Sequence, residues 1–180
     1  MKHIRDEPFE ICAPFVRLNQ SRTNITLHET PLATLVQVDG STPNKSVKQG
    51  LERVARMFRR EFHYDFVQYH AHDDGDPRDR LLLWIGDRDY DPKTGNMLPR
   101  VLGGACLVWR EWNNHPHGHS LTFVWIHPFK RRHGMLTAAW PVIEKIASPG
   151  FHIEPPYSPG MLAFLRKRYP GRFDKGVVTP

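Results

Sequence analysis

Val47, Leu51, Val54, Phe58 and Phe62 recur at steps of four, three, four and four. That spacing lines one face of an α-helix. Ser46 is its expected N-cap, and the other face carries Lys48, Arg53, Arg56, Arg59 and Arg60. Upstream, residues 8–40 alternate only weakly; the clearest strand covers 32–38 and closes on the turn pair Asp39-Gly40, with 41–44 as a loop. Downstream, 66–69 reads as a short strand and 70–80 as a polar loop. The compact apolar run 81–85 predicts a buried strand. Asp91-Pro92 and Thr94-Gly95-Asn96 are hairpin-turn chemistry. They lead to a strand over 101–109, where Gly103-Gly104 predicts a bulge or close backbone approach. After a turn at 111–118, residues 120–126 complete a three-strand meander. A helix over 132–147 turns Leu136, Ala139, Trp140, Ile143 and Ile146 inward, with a kink expected at Pro141. A short strand at 151–153 follows. Ser158 and Pro159 then open a last helix as N-cap and first-turn proline, with Met161, Leu162 and Leu165 inward and Arg166, Lys167 and Arg168 outward.

Strand, helix, meander, helix, strand, helix is an α/β order. It predicts a mixed sheet: an antiparallel meander, then a parallel, right-handed βαβ crossover, with helices on both faces. No internal repeat interrupts it, and 180 residues suit one domain over 1–180. Within it, 46–170 is the expected core and 1–45 an N-terminal region.

Charge narrows the partners. Lys and Arg total 25 against 19 Asp and Glu, a formal +6, which favours phosphorylated cofactors, nucleic acid or acidic protein patches. Cys12 and Cys106 form neither a CxxC pair nor a disulfide framework, so a reducing compartment is expected. The first residues lack the apolar core of a signal peptide, and no apolar run approaches the ~20 residues of a membrane span. The expectation is a soluble, cytoplasmic protein, nuclear in a eukaryote, with no membrane partner. His115, His117 and His119, and the loop of His70, His72, Asp73, Asp74 and Asp76, carry metal-ligand types. They lack a helical His-x-x-x-His spacing, so solvated loops are expected and no metal.

The richest stretch is 124–137. Apolar Val124-Trp125-Ile126 runs into Lys130-Arg131-Arg132 and then into a helix start at Gly134-Met135-Leu136-Thr137. A helix start exposes unpaired N–H groups and a positive dipole end, which suits a pyrophosphate.

This stretch resembles the cofactor motif R/Q-x-x-G-x-G/A of the GCN5-related N-acetyltransferase (GNAT) family. Arg131 and Gly134 match it, Leu136 departs from it, and Arg132 stands where the family often has another glycine. Within the family the chain is most similar to the cohesin acetyltransferases. Val124-Trp125-Ile126, Arg131-Arg132 and Met135-Leu136-Thr137 are in register with their I-W-V…R-R-x-x-I-A-S. Residues 82–87 and 102–108 resemble their strand pair F-L-F-I-S-D and V-V-G-C-L-I. Residues 153–163 follow S-D-P-T-P-D-G-K-L-F-A with one insertion and Glu154 in place of Asp. The likeness spans about residues 46–165. Two cysteines cannot supply the zinc finger that precedes this domain in eukaryotic members.

The resemblance implies a GNAT-like fold and acetyl transfer from acetyl-CoA (coenzyme A) to a primary amine, with protein lysine the preferred acceptor. A small-molecule amine or an aminoacyl-tRNA is the alternative acceptor. It implies that Arg131, Arg132, His133, Gly134, Met135 and Leu136 bind the diphosphate, and that Trp125 and Ile126 line the pantetheine arm. It makes Glu154 the first candidate for the base, with Glu111 the alternative; a setting between an apolar strand and Pro155-Pro156 would raise the Glu154 pKa. Leu165 stands where many family members carry a tyrosine acid, leaving Tyr157, Tyr169 or water for that part. The region 1–45 would help shape the acceptor side. Two other readings remain open from the sequence: a non-catalytic module that binds nucleic acid or protein through its basic face, and a metal-dependent hydrolase built on the His/Asp loop.

Overall fold

A computed structural model describes residues 14–18, 24–113, 116–147 and 151–173. Its centre is a six-stranded sheet in the order β1 (Thr26–Glu29), β2 (Thr34–Asp39), β3 (Arg80–Asp91), β4 (Asn96–Arg110), β5 (Gly118–Ile126) and β6 (His152–Ile153). Every neighbouring pair is antiparallel except β5 and β6, which are parallel. The mixed α/β sheet read from the sequence is therefore present. Helix α1 (Lys45–Phe62) lies between β2 and β3, α2 (Met135–Ala147) between β5 and β6, and α3 (Pro159–Arg168) follows β6.

The apolar run at 81–85 shows why helices cover both faces. Leu81, Leu83 and Ile85 join the core under α1, with Val47, Leu51, Val54 and Phe58. Leu82 and Trp84 join the opposite core, with Ala139, Trp140 and Ile143 of α2 and Leu165 of α3. A strand buried on both sides shows no alternation. Gly103 and Gly104 mark a close approach: a Cβ at Gly103 would lie 2.5 Å from the Trp125 carbonyl oxygen, and one at Gly104 2.7 Å from Leu51 Cδ1.

Several boundaries differ from the sequence reading. The strand expected from Leu32 starts at Thr34, because Thr30 and Ala33 close a tight turn through Thr30 Oγ1 and both backbones. The β1 edge strand before that turn is mostly exposed and carries little apolar signal. Asn44, not Ser46, caps α1, its side chain accepting from the Val47 N–H at 3.2 Å; Ser46 Oγ accepts from the Arg17 N–H instead. Residues 66–69 form no strand, with bends at 66 and 68. The β3–β4 hairpin runs beyond the apolar run through exposed residues 87–90, where Arg100 pairs with Asp89. Pro141 sits within α2 on its exposed side, and Trp140 and Ile143 remain buried beside it.

The feature that positions the site is the short pairing of β5 with β6. Only Ser120↔His152 and Leu121↔Ile153 are in register, extended by a bond from the Glu154 N–H to the Leu121 carbonyl at 3.0 Å. Pro155 and Pro156 have no N–H to continue the ladder, so β5 runs on from Thr122 to Ile126 without β6 beside it. A bulge sits at the same place: Cys106 pairs with Phe123 and Leu107 with Leu121, leaving Thr122 as the extra residue. It reverses the alternation, placing Leu121 in the α2 core and Phe123 and Trp125 in the α1 core.

Candidate functional site

Beyond Ile126, His127 caps a single 3-10 turn, Pro128–Lys130, its Nδ1 accepting from the Phe129 N–H at 3.3 Å. The Lys130 and Arg131 N–H groups donate to the carbonyls of His127 and Pro128. The chain then bends through two left-handed residues, Arg132 (φ 62°) and Gly134 (φ 80°), on either side of His133. The first bond into α2 is Ala138 N–H to the Gly134 carbonyl at 2.9 Å. Among the described residues, no N–H group of 132–137 donates to a protein acceptor. A bend of this kind with left-handed residues gathers N–H groups into an anion-binding concavity, and the α2 dipole adds to it.

The conformation explains two sequence features. Gly134 is required for its positive φ rather than for space, since a Cβ there would meet only Leu32 Cδ1 at 3.6 Å. Arg132 also has positive φ, and this is where the resembled family often has glycine.

The expected phosphate ligands divide. Met135 is buried and Leu136 half-buried, and both side chains are apolar, so what they can offer an anion is a backbone N–H. His133 is exposed and does not line the adjoining cavity, whereas Lys130, Arg132 and Gly134 do. Arg131 lines that cavity too, but its side chain is engaged. Its guanidinium makes two bonds to Glu61, at 2.5 and 2.6 Å, and its Nε donates to the Ile126 carbonyl at 2.8 Å. Its own N–H is also bonded. Arg131 therefore braces the turn. Trp125 is buried in the α1 core and its indole N–H donates to the same Glu61 carboxylate at 2.7 Å; what it can offer a pantetheine arm is backbone. Glu61 was not singled out from the sequence. The signal was an acid in the last turn of a helix, where the dipole disfavours it unless a cation pairs with it.

The bend opens onto a cavity of about 490 Å³ between the end of β5, the turn and the start of α3. A second lobe of about 420 Å³ lies between the end of α1, the middle of β5 and the β6–α3 connection. The two share Phe62, Val124, Ser158, Pro159 and Met161, and so form one groove through the gap between β5 and β6. Ser158 caps α3 there, accepting from the Met161 N–H at 3.2 Å.

Glu154 lines the second lobe. Its carboxylate accepts from Arg110 at 3.0 and 3.2 Å and is about one-third exposed. The apolar isolation expected of it is not found: β4 ends alongside and supplies a guanidinium. Glu111, the alternative base, lies beyond Arg110, which pairs with Gly118 at the opposite end of β5 from the turn. It is exposed, and its hydrogen bond and ion pair with Arg78 hold it below the usual carboxylate range, so it lies outside the groove and shifts the wrong way for a base. Tyr157 lines the second lobe and donates to the Ile153 carbonyl at 2.9 Å; burial raises its pKa. Tyr169 lines neither lobe; its hydroxyl bonds the Glu144 carboxylate and accepts from Trp140 Nε1. Cys106 is fully buried, and burial pushes its thiol up to about 12, which removes it as a nucleophile. Cys12 lies outside the described residues.

The histidine loops do not converge. His119 is buried and its Nε2 bonds the Arg78 carbonyl, His117 Nδ1 accepts from the Trp112 N–H, and His70 lies 3.7 Å from Glu52. His115 lies outside the described residues. Among the described residues no three His, Cys, Asp or Glu side chains gather as a metal site, and no helix is long and apolar enough to cross a membrane.

No protein-family model matches the chain, and no curated protein matches it.

Proposed function

We propose that this chain transfers an acetyl group from coenzyme A to a primary amine by direct attack in a ternary complex, with protein lysine the acceptor its resemblance to the cohesin acetyltransferases implies. One observation carries this reading: the N–H groups of 132–137, unpaired among the described residues, belong to a turn whose residues 132 and 134–137 line a groove that runs past an unaccompanied strand edge to a carboxylate. The donor set fits a diphosphate, because Lys130 and Arg132 stand at that lobe and, among the described residues, no Asp or Glu lines it.

A bound thioester supplies an activated acyl carbonyl. The residues of the chain do the rest. The bend holds the diphosphate. The edge of β5 between Thr122 and Ile126, freed from β6, offers backbone groups to an extended amide-bearing arm and, at the bulge, an N–H toward the carbonyl oxygen. Glu154, reached from the second lobe, accepts the proton that the amine must lose before attack, directly or through water. The nitrogen–carbon bond then forms, the carbon–sulfur bond breaks, and the thiolate takes up a proton. In this reading Tyr157, which lines the second lobe, or water gives it; Tyr169 lines neither lobe.

A nucleic-acid module on the basic face of α1 finds less support. Arg56 is paired with Glu52, Arg59 donates to the Tyr64 carbonyl, and Lys48 donates to the Asp73 carbonyl. Calorimetry with coenzyme A, and mass spectrometry of amine pools incubated with acetyl-CoA, test the proposal. Glu154→Gln is expected to lower kcat by about 10²- to 10⁴-fold and to leave coenzyme affinity unchanged. Absence of coenzyme binding at millimolar concentration sinks the reading.

A further inference from the structure

The two lobes of the groove carry opposite charge chemistry. Among the described residues, Lys130, Arg131 and Arg132 line the first, with no carboxylate; Asp65 and Glu154 line the second, with no Lys or Arg. On a chain of net charge +6, an acidic lobe needs a reason. Glu154 is already matched by Arg110. Asp65 has no ion pair among the described residues, and it is exposed at the rim.

Its neighbours complete the pattern. Tyr64 and Phe66 line the same lobe on either side of Asp65. Phe66 is 66% exposed, the second most exposed of the large apolar side chains among the described residues. Tyr64 is held in place: its ring stacks on Phe58 at 4.9 Å, and its hydroxyl donates to the Pro156 carbonyl at 2.9 Å, joining the end of α1 to the β6–α3 connection. An exposed carboxylate in a lobe that aromatic side chains also line attracts an alkylammonium by charge, and the rings add to that attraction.

Resting on the acetyl-transfer reading, we propose that Tyr64, Asp65 and Phe66 form a specificity subsite that selects acceptors carrying a second positive charge on the same flexible chain as the amine to be acylated. A free aliphatic diamine and a lysine beside another basic residue share that chemistry. The second charge rests at Asp65 while the reacting amine lies deeper, toward Glu154.

The test compares butylamine with butane-1,4-diamine, and a lysine peptide flanked by arginine with one flanked by serine, for the wild-type chain and Asp65→Asn. The wild type should prefer the dicationic member of at least one pair by about fivefold in kcat/KM; the pair that shows it identifies the source. Asp65→Asn should bring that ratio near one through KM, leaving kcat for butylamine and the affinity for coenzyme A unchanged. Transfer that proceeds with the same ratio in both proteins overturns the subsite. Calorimetric binding of butane-1,4-diamine with coenzyme A present reads the subsite without turnover. Binding that needs Asp65 while no amine is acetylated overturns the transfer reading and keeps the subsite, whereas equal binding by both proteins overturns the subsite.

Discussion

Glu61 holds together more of the site than any residue that would touch a ligand. Burial alone would raise its pKa, but bonds from Arg131 and Trp125 outweigh that and leave it below the ordinary carboxylate value. Glu61→Gln removes the charge and leaves Arg131, one-third exposed, facing a neutral amide. We expect a loss of about 1–3 kcal/mol by urea denaturation, below the cost for a fully buried pair. Because Arg131 also holds the Ile126 carbonyl, coenzyme affinity should fall with it. His127 adds a pH dependence. It is buried, and burial first, then Arg131 and Lys130, pull its pKa from 6.5 to about 4, with Glu61 opposing. Between those values the unfolded chain binds a proton that the folded chain refuses, so stability falls as pH drops from about 6.5 toward 4 and is level above. The lowered Glu61 acts in the same direction, its contribution fading as pH falls through its folded value. Urea midpoints at pH 7.5, 6 and 5 should decline in that order; a flat series refutes the burial of a neutral His127.

At the scale of elements, the site depends on how closely β4 supports β5. Gly103 lies against the Trp125 carbonyl and the Ile126 Cα, so Gly103→Ala drives two backbones apart where rotamer changes cannot relieve the contact. It should cost about 1–3 kcal/mol and weaken coenzyme binding, because the displaced residues lead into the turn. Gly95→Ala, a left-handed hairpin position with nothing within 4 Å, should cost about 1–2 kcal/mol with no effect on coenzyme; thermal melts with and without coenzyme separate the two. Elements that bury an apolar stripe were legible in the sequence: α1 from Val47 to Phe58, the doubly buried run at Leu81–Ile85, and α3 from its Ser158-Pro159 start. Strands made by backbone pairing among exposed residues, such as β1 and the outer arms of the β3–β4 hairpin, were not, although the hairpin turn between Asp91 and Asn96 was. The turn was legible as a helix start after a strand. The bracing part of Arg131 was not, because Glu61 lies 70 residues away in sequence and only tertiary packing joins them.

The whole molecule sets the electrostatic field in which that turn works. A net charge of +6 would attract an anionic coenzyme from a distance, and the attraction would converge on a lobe lined by Lys130 and Arg132 and, among the described residues, by no carboxylate. Long-range attraction is screened by salt, whereas amide bonds made inside the bend are screened far less. Raising ionic strength from about 50 to about 500 mM shortens the screening length from about 14 to about 4 Å. Coenzyme A should therefore bind about tenfold more weakly at the higher salt, mostly through slower association. Pantetheine, which lacks the phosphates, should be indifferent to salt. A Lys130→Ser, Arg132→Ser variant should reduce the salt dependence for coenzyme A and leave pantetheine unaffected, because Arg131, tied to Glu61, remains to brace the turn. Nucleic acid, if it were the partner, would show a steeper power-law loss over the same range. Stopped-flow association rates for the two small ligands decide the matter: salt-independent binding of coenzyme A would mean that the basic turn does not meet the diphosphate at all.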